Sequence, residues 1–369
     1  IESVVEKYSD VCMVIAYNAP YVTYRNVKKA FSKKGIKVAY DCTEWNSFAE
    51  GSLPKRLYKK IDEKQIQEIV KSVLQTVATP AGVTENARSL KGVFNTMTEA
   101  LEAVNKAYKE FRSYTVEQRE QMIAKIREIT LNEAEEMAKL GVCETGMGRV
   151  SDKIIKHQLV ANKTPGTEDL TPSVMTGDNG LTLVEMAPYG VIGSITPSTN
   201  PSETVICNTI GMIAGGNAVV FNPHPNACKT ANYAIDLVNR AIQEAGGPEN
   251  LVVSVAKPTR ESSNEMMASP IVRMLVATGG PGVVKMLLSS GKKAIGAGAG
   301  NPPVIVDDTA DIVKAAIDIV NGASFDNNLP CIAEKECFAF DSIAGKLIDS
   351  MTKNGAYLLT GDKVDTLLK

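Results

Sequence analysis

The chain has 369 residues, 44% hydrophobic and 22% charged, which is long enough for two or three domains around a large core and too apolar for disorder. Forty basic residues against forty-two acidic ones leave a formal charge of −2, which excludes a net positive field for nucleic acid or an anionic membrane. Seven scattered cysteines without CxxC spacing, and two histidines, His157 and His224, point to a reducing cytoplasm and speak against structural zinc, a multi-histidine metal centre or a His-based triad. No apolar run approaches the roughly 18 residues of a membrane helix. Ile1 to Asp10 are mixed and acidic, unlike a signal peptide, and the absence of an initiator Met points to a start within a longer frame.

Along the chain, the apolar run Val11 to Tyr17, the basic amphipathic stretch Tyr24 to Lys34 and the run Ile36 to Tyr40 predict one βαβ-like unit within residues 1–60. Ile66, Ile69, Val70, Val73, Leu74 and Val77 follow helical spacing and predict an amphipathic helix over 61–77, with a polar linker over 78–91. Thr96 with Glu99, and Thr115 with Gln118, have the spacing of capping boxes that open two further helices. From Leu181 to Asp308, apolar runs at Val191–Ile195, Ala218–Phe221, Leu251–Val255, Met274–Ala277 and Val304–Val306 alternate with helical stretches. That alternation predicts an α/β fold with a doubly wound parallel sheet, which binds ligands beyond the carboxyl ends of its strands.

Two segments fall at such strand ends, and a third, glycine-rich one lies nearby in sequence. Thr278-Gly279-Gly280-Pro281-Gly282 joins a strand to a helix, where backbone amides can approach a phosphate; the plainer reading is a tight turn. Gly296-Ala297-Gly298-Ala299-Gly300-Asn301 nearly imitates a dinucleotide fingerprint but precedes a strand, which suggests a backbone passing close to another group. Thr196-Pro197-Ser198-Thr199-Asn200-Pro201 can offer donors to an oxyanion or simply cap a helix. His224, in Asn222-Pro223-His224-Pro225, is either part of the same edge or a satisfied loop residue. Cys331 ends the turn-rich loop from Ser324 and has the thiol needed to attack an aldehyde, although a cysteine is more often a small buried hydrophobe. Cys337, in an apolar run, reads as core.

TPSTNP at 196–201, GNAVVFNPHPNA at 216–227, ATGGPGVV at 277–284, GAGAGNPPVIVDDTAD at 296–311 and SFDNNLPCIAEK at 324–335, in this order, closely resemble the coenzyme A-acylating aldehyde dehydrogenases of bacterial microcompartments. CETGMGR at 143–149 and TPGTEDL at 164–170 look like the same family, and the match runs from about residue 61 onward. The resemblance implies a short aliphatic aldehyde, NAD and coenzyme A as reactants, with Cys331 as nucleophile and Thr199 and Asn200 beside the reacting carbonyl. It places NAD against Thr196, Pro197, Asn222, His224, Thr278, Gly279, Gly280, Gly282, Ala297 and Gly298. It also implies an NAD-binding domain over 92–300, the start of a catalytic domain over 301–369, homo-oligomers, and a cytoplasmic enzyme housed in a microcompartment. The helix over 61–77 then resembles an encapsulation peptide that docks on a shell protein, or else packs on its own domain.

Two departures carry consequences. Where hydrolytic relatives have a water-activating glutamate this chain has Ala297, and where they have a ribose-binding lysine it has Asn222. Residues 1–60 have no counterpart in the family and resemble the opening βαβ unit of certain two-domain glycosyltransferases, so they are expected to stand apart as an unrelated extension. The family also continues well past the position of Cys331, so a partial, chimeric frame is expected. The competing readings are reduction of an acyl phosphate, disfavoured because no Arg follows Cys331, and a chain that binds only nucleotide or shell protein.

Overall fold

The computed structural model describes residues 90–359 and 361, together with the backbone of two strands, β1 (Val11–Tyr17) and β2 (Lys37–Asp41). The expected helices over 24–34 and 61–77, and most of the linker over 78–91, lie outside the described residues.

The central layer is a six-stranded, wholly parallel sheet. Its strands are β3 (Val93–Phe94), β6 (Val191–Thr196), β7 (Ala218–Pro223), β8 (Val252–Val255), β9 (Val272–Thr278) and β10 (Lys293–Ala297), in spatial order β10-β9-β6-β7-β8-β3. β6, β7 and β8 are buried along their whole length, as expected where helices cover both faces. Before β6 come α1 (Met97–Phe111), α2 (Val116–Asn132), α3 (Ala134–Thr145) and α4 (Val150–Lys163), then an exposed antiparallel hairpin, β4 (Ser173–Gly177) and β5 (Gly180–Val184). α5 (Pro201–Ala214) and α6 (Cys228–Glu244) pack on the sheet with α2 against them, whereas α1 and α7 (Arg260–Ala268) pack on it together. The two expected capping boxes, at Thr96/Glu99 and Thr115/Gln118, are both formed.

All six strands run the same way, so their carboxyl ends open on one edge. The register aligns Thr196 with Pro223 and Thr278 with Ala297 there. After α8 (Pro281–Leu288) and β10 the chain leaves this sheet and enters a second one at β11 (Pro303–Val306). α9 (Ile312–Ser324), β12 (Glu336–Phe340) and α10 (Asp341–Lys353) complete a smaller apolar cluster that includes Val306, Ile319, Cys337 and Leu347. Cys337 is core, as expected, and burial pushes its thiol pKa up to about 12.

Of the first 60 residues, expected to stand apart, only the strands β1 and β2 are described, and both join the second sheet. β1 lies between β12 and β2 in the second sheet, antiparallel to β12 with Ile15 opposite Cys337, and parallel to β2. The physical reason is the edge of β12: a strand edge offers a row of unpaired N–H and C=O groups, and an apolar strand satisfies them.

Candidate active site

The site begins where β6 ends. Thr196 and Pro197 are buried, and Ser198, Thr199 and Asn200 follow as a half-buried turn before Pro201 opens α5. At the next strand end His224 N–H donates to the Thr196 carbonyl (3.1 Å), and His224 Nδ1 accepts from Asn226 N–H (3.1 Å). Burial lowers the His224 pKa. Asn222 is 4% exposed and its carboxamide is engaged: Nδ2 donates to Ser263 Oγ (2.7 Å) and Oδ1 accepts from Ser262 Oγ (2.5 Å). Its side chain thereby secures the start of α7.

Thr278 to Gly282 cross from β9 into α8. Gly279 N–H donates to the Ala297 carbonyl (3.0 Å), and a Cβ added at Gly279, Gly280 or Gly282 would meet nothing within 4 Å. Gly280 has φ −65°, so backbone conformation does not require glycine there. The three glycines clear open space instead. Gly300 differs, because a Cβ there would overlap the carbonyl oxygen of Cys331. The close passage expected of the 296–301 segment is therefore against the loop that carries the candidate nucleophile.

These segments surround one cleft of about 910 Å³. Cys331, Thr199, Asn200, Thr196, Pro197, Asn222, His224, Thr278, Gly279, Gly280, Gly282 and Gly298 all line it, and Ala297 does not, although its carbonyl holds the Gly279 turn. Arg260 and Lys335 also line the cleft, and among the described residues no acidic side chain does. Cys331 is half-buried.

Beneath the cleft is a charged cluster with no counterpart in the sequence reading. Lys153 and Lys156, one turn apart on α4, meet Glu203 on α5 and Asp326 in the loop before Cys331. Lys156 Nζ lies 2.5 Å from Asp326 Oδ2 and 3.3 Å from Glu203 Oε1, and also donates to Asn200 Oδ1. Lys153 Nζ lies 3.3 Å from Asp326 Oδ2 and donates to the Thr199 carbonyl (3.0 Å). All four charged side chains are buried, and two cations balance two carboxylates, the condition under which buried charge is tolerable. Burial raises the Glu203 pKa, but His157, Lys156 and Lys153 outweigh it and bring the carboxyl down to about 2. His157 sits beside the cluster with Nδ1 2.7 Å from the Lys153 carbonyl and Nε2 2.8 Å from Ser202 Oγ; burial holds its pKa below the usual range.

Asp326, Asn327 and Asn328 have φ of 47°, 54° and 60°, three consecutive left-handed residues just before Leu329-Pro330-Cys331. The turn is pinned at both ends. Asp326 Oδ1 accepts from Arg149 N–H (2.9 Å) and its own N–H donates to Asp152 Oδ2 (2.8 Å), while Lys335 Nζ donates to the Asn328 carbonyl (2.9 Å).

Residues 71–368 match the model of the aldehyde dehydrogenase family. The chain is 44% identical over 307 residues to the propanal dehydrogenase (CoA-propanoylating) of Salmonella typhimurium, covering 83% of this chain and 66% of the relative. It is 46% identical over 311 residues to the acetylating acetaldehyde dehydrogenase of Escherichia coli, covering 83% and 65%. Among solved structures, a propionaldehyde dehydrogenase from the fucose utilisation microcompartment of Clostridium phytofermentans superposes with TM-score 0.73 at 58% identity, over 76% of this chain and 64% of that one. The Rhodopseudomonas palustris propionaldehyde dehydrogenase with bound CoA and an acylated cysteine gives TM-score 0.72 at 55% identity, over 75% and 64%. The chain thus spans just under two thirds of the length of these relatives. Matched by the family's model over most of its length, and with a parallel sheet that opens on a strand-end cleft, the chain belongs to the aldehyde dehydrogenase family.

Proposed function

We propose that this chain carries the NAD-binding and nucleophile-bearing parts of an enzyme that oxidises a short aliphatic aldehyde to its acyl-CoA. The observation that carries the reading is the placement of Cys331 and Asn200 on one cleft with the open Thr278–Gly282 turn. Relatives of this chain are named for CoA-dependent acylation, and one holds CoA with an acylated cysteine.

The residues fit NAD on their own terms. The glycine turn leaves room that a side chain would fill, at the positive end of a helix that favours phosphate, and Arg260 adds positive charge to a cleft wall that holds no acid among the described residues. Thr196 Oγ1 is buried on this cleft with no hydrogen-bond partner among the described residues. NAD, when bound there, supplies the acceptor for the hydrogen and electron pair that leave the carbonyl carbon.

The chain's own groups do the rest. The Cys331 thiolate attacks the aldehyde carbon and forms a thiohemiacetal. The carbonyl oxygen becomes negative as the C–S bond forms, and Asn200 Nδ2, with Thr199 beside it, is the donor set on the same cleft. Loss of hydrogen from that carbon leaves a thioester on Cys331. The coenzyme A thiolate then attacks the acyl carbon, the Cys331 C–S bond breaks, and acyl-CoA departs with the cysteine restored.

The further expectations follow the same relatives. The C. phytofermentans relative comes from a microcompartment, which supports such a location for this chain; the apolar spacing over 61–77 is what supports that segment as the element that would meet a shell protein. Self-association draws support from the exposed hairpin, where Val174, Met175, Leu181 and Leu183 are each more than half exposed.

The test is Cys331→Ala in the chain carried to the length of its relatives. Acyl-CoA formation should vanish while NAD affinity stays within a few-fold, because the thiol forms the covalent intermediate and does not hold the cofactor. Retained turnover would remove Cys331 from this role, and NAD binding without turnover in the unsubstituted enzyme would favour a chain that only binds.

A further inference from the structure

Lys153 and Lys156 both bridge the two walls of the reacting centre, and Lys156 is the one that holds the Asn200 side chain itself. Its ammonium donates to Asn200 Oδ1 on one side and lies 2.5 Å from Asp326 Oδ2 on the other, across 170 residues of sequence. Lys153 shares Asp326 but reaches the Asn200 loop only through the Thr199 carbonyl.

On the Asn200 side the consequence is orientation. An ammonium has three donors and no acceptor, so the carboxamide must turn its oxygen toward Lys156 and its NH₂ away. One Nδ2 hydrogen then meets Thr199 Oγ1 (3.1 Å), which leaves the second for a bound carbonyl oxygen. Without the cation either face of the amide could turn to the cleft, and half of those arrangements would present an oxygen to a developing oxyanion.

On the Asp326 side the consequence is conformation. Three consecutive left-handed residues persist only where the surroundings over-determine them. Asp326 heads that run, and its carboxylate is gathered by Lys156, Lys153 and Arg149 N–H. Gly148 makes room for it, since a side chain there would overlap Asp326 Oδ1.

We propose that Lys156 is a positioning residue that sets the nucleophile loop and the carbonyl-binding loop in register, holding the Asp326 turn while aiming the Asn200 amide donor into the cleft. The roles of Cys331 and Asn200 rest on the function proposed above; the mechanical link between their loops does not.

Hydrogen exchange on the 369-residue chain tests that link without turnover, so its failure is separate from failure of the acyl-transfer reading, which Cys331→Ala decides. In Lys156→Met, amides of both 198–205 and 324–333 should exchange about tenfold faster, while β6, β7 and β8 stay within roughly twofold. No change in either loop, or a change in one alone, overturns the proposal. Should Lys156→Met lose protection throughout, Lys156→Gln, of similar length and still a donor, is judged by the same two-loop criterion. Loss throughout in both variants overturns the proposal as well, because Lys156 would then serve the fold as a whole. Lys156→Arg, which keeps a cationic donor in place, should restore the protection of both loops to within a few-fold.

Discussion

Gly300 and the Cys331 carbonyl oxygen pass so close that a single methyl group on Gly300 would overlap the oxygen. The chain enters the second sheet at this crossing, so the nucleophile loop leans on a backbone without side chains. Gly300→Ala should displace the Cys331 loop and destabilise the protein by about 1–3 kcal/mol, the usual cost of overpacking. Gly298→Ala is the control, since its added Cβ meets nothing within 4 Å and should change stability by no more than about 0.5 kcal/mol. Urea denaturation of both variants checks this, and equal effects would show that the contact constrains nothing.

Gly146 and Gly148 form a second matched pair. Both have left-handed backbone, with φ of 67° and 79°, but only a side chain at Gly148 would overlap Asp326. Gly146→Ala should cost about 1 kcal/mol from backbone strain alone. Gly148→Ala should cost clearly more and should speed alkylation of Cys331 by iodoacetamide relative to the exposed Cys143 and Cys207, as the Asp326 turn gives way. An unchanged labelling ratio would mean that the Asp326 turn does not control access to Cys331.

The buried cluster predicts two acid-sensitive windows. His157 has a folded pKa below its ordinary 6.5, so the unfolded chain binds the proton first and stability falls as pH drops below 6.5. Glu203 is depressed from 4.5 to about 2, so its contribution is complete above pH 4.5 and is lost as pH falls from 4.5 toward 2. His157→Gln should flatten the upper window and narrow the lower one, because His157 is among the groups that hold the Glu203 carboxyl down. Glu203→Gln should flatten the lower one while reducing stability at neutral pH, because Lys153 and Lys156 then exceed the carboxylates around them. Unfolding free energies across this range decide the matter, and identical pH profiles for wild type and both variants would contradict it.

The strands of the central sheet were legible because burial on both faces writes itself as short apolar runs: Val191–Ile195 and Ala218–Phe221 fall within observed β6 and β7. The cleft was legible for a related reason, since glycines and prolines at strand ends are local signals. The Lys153–Lys156–Glu203–Asp326 cluster was not, because pairing between positions about 170 apart leaves no periodic trace. Its one local sign is Asp326-Asn327-Asn328, residue types that tolerate left-handed backbone. The exposed hairpin was also missed, although Asn179-Gly180 beside alternating apolar residues is a turn signal. The pairing of β1 with β12 depends on which edges remain open in three dimensions, and no pattern within residues 1–60 reports that.

The acyl acceptor is predicted from the side chains that line the cleft. Hydrolysis of a thioester at a useful rate needs a base within reach of water, a contribution of about 10² to 10⁴-fold. The family resemblance puts that base at Ala297, a methyl group at the end of β10, and among the described residues no Asp or Glu lines the cleft. Lys335, on that wall, already donates to the Asn328 carbonyl. Water is therefore a poor acceptor here. Coenzyme A brings a thiol that ionises far more readily than water and needs less help from the protein. With NAD and aldehyde alone, the chain carried to the length of its relatives should release at most a burst of about one NADH per Cys331, with steady turnover only after coenzyme A is added. Ala297→Glu should raise hydrolysis little, because Ala297 does not itself line the cleft. Stopped-flow NADH absorbance with product analysis provides the measurement, and steady NADH production with free acid as product in the absence of coenzyme A would show that another base serves the site and that the acylating assignment is wrong.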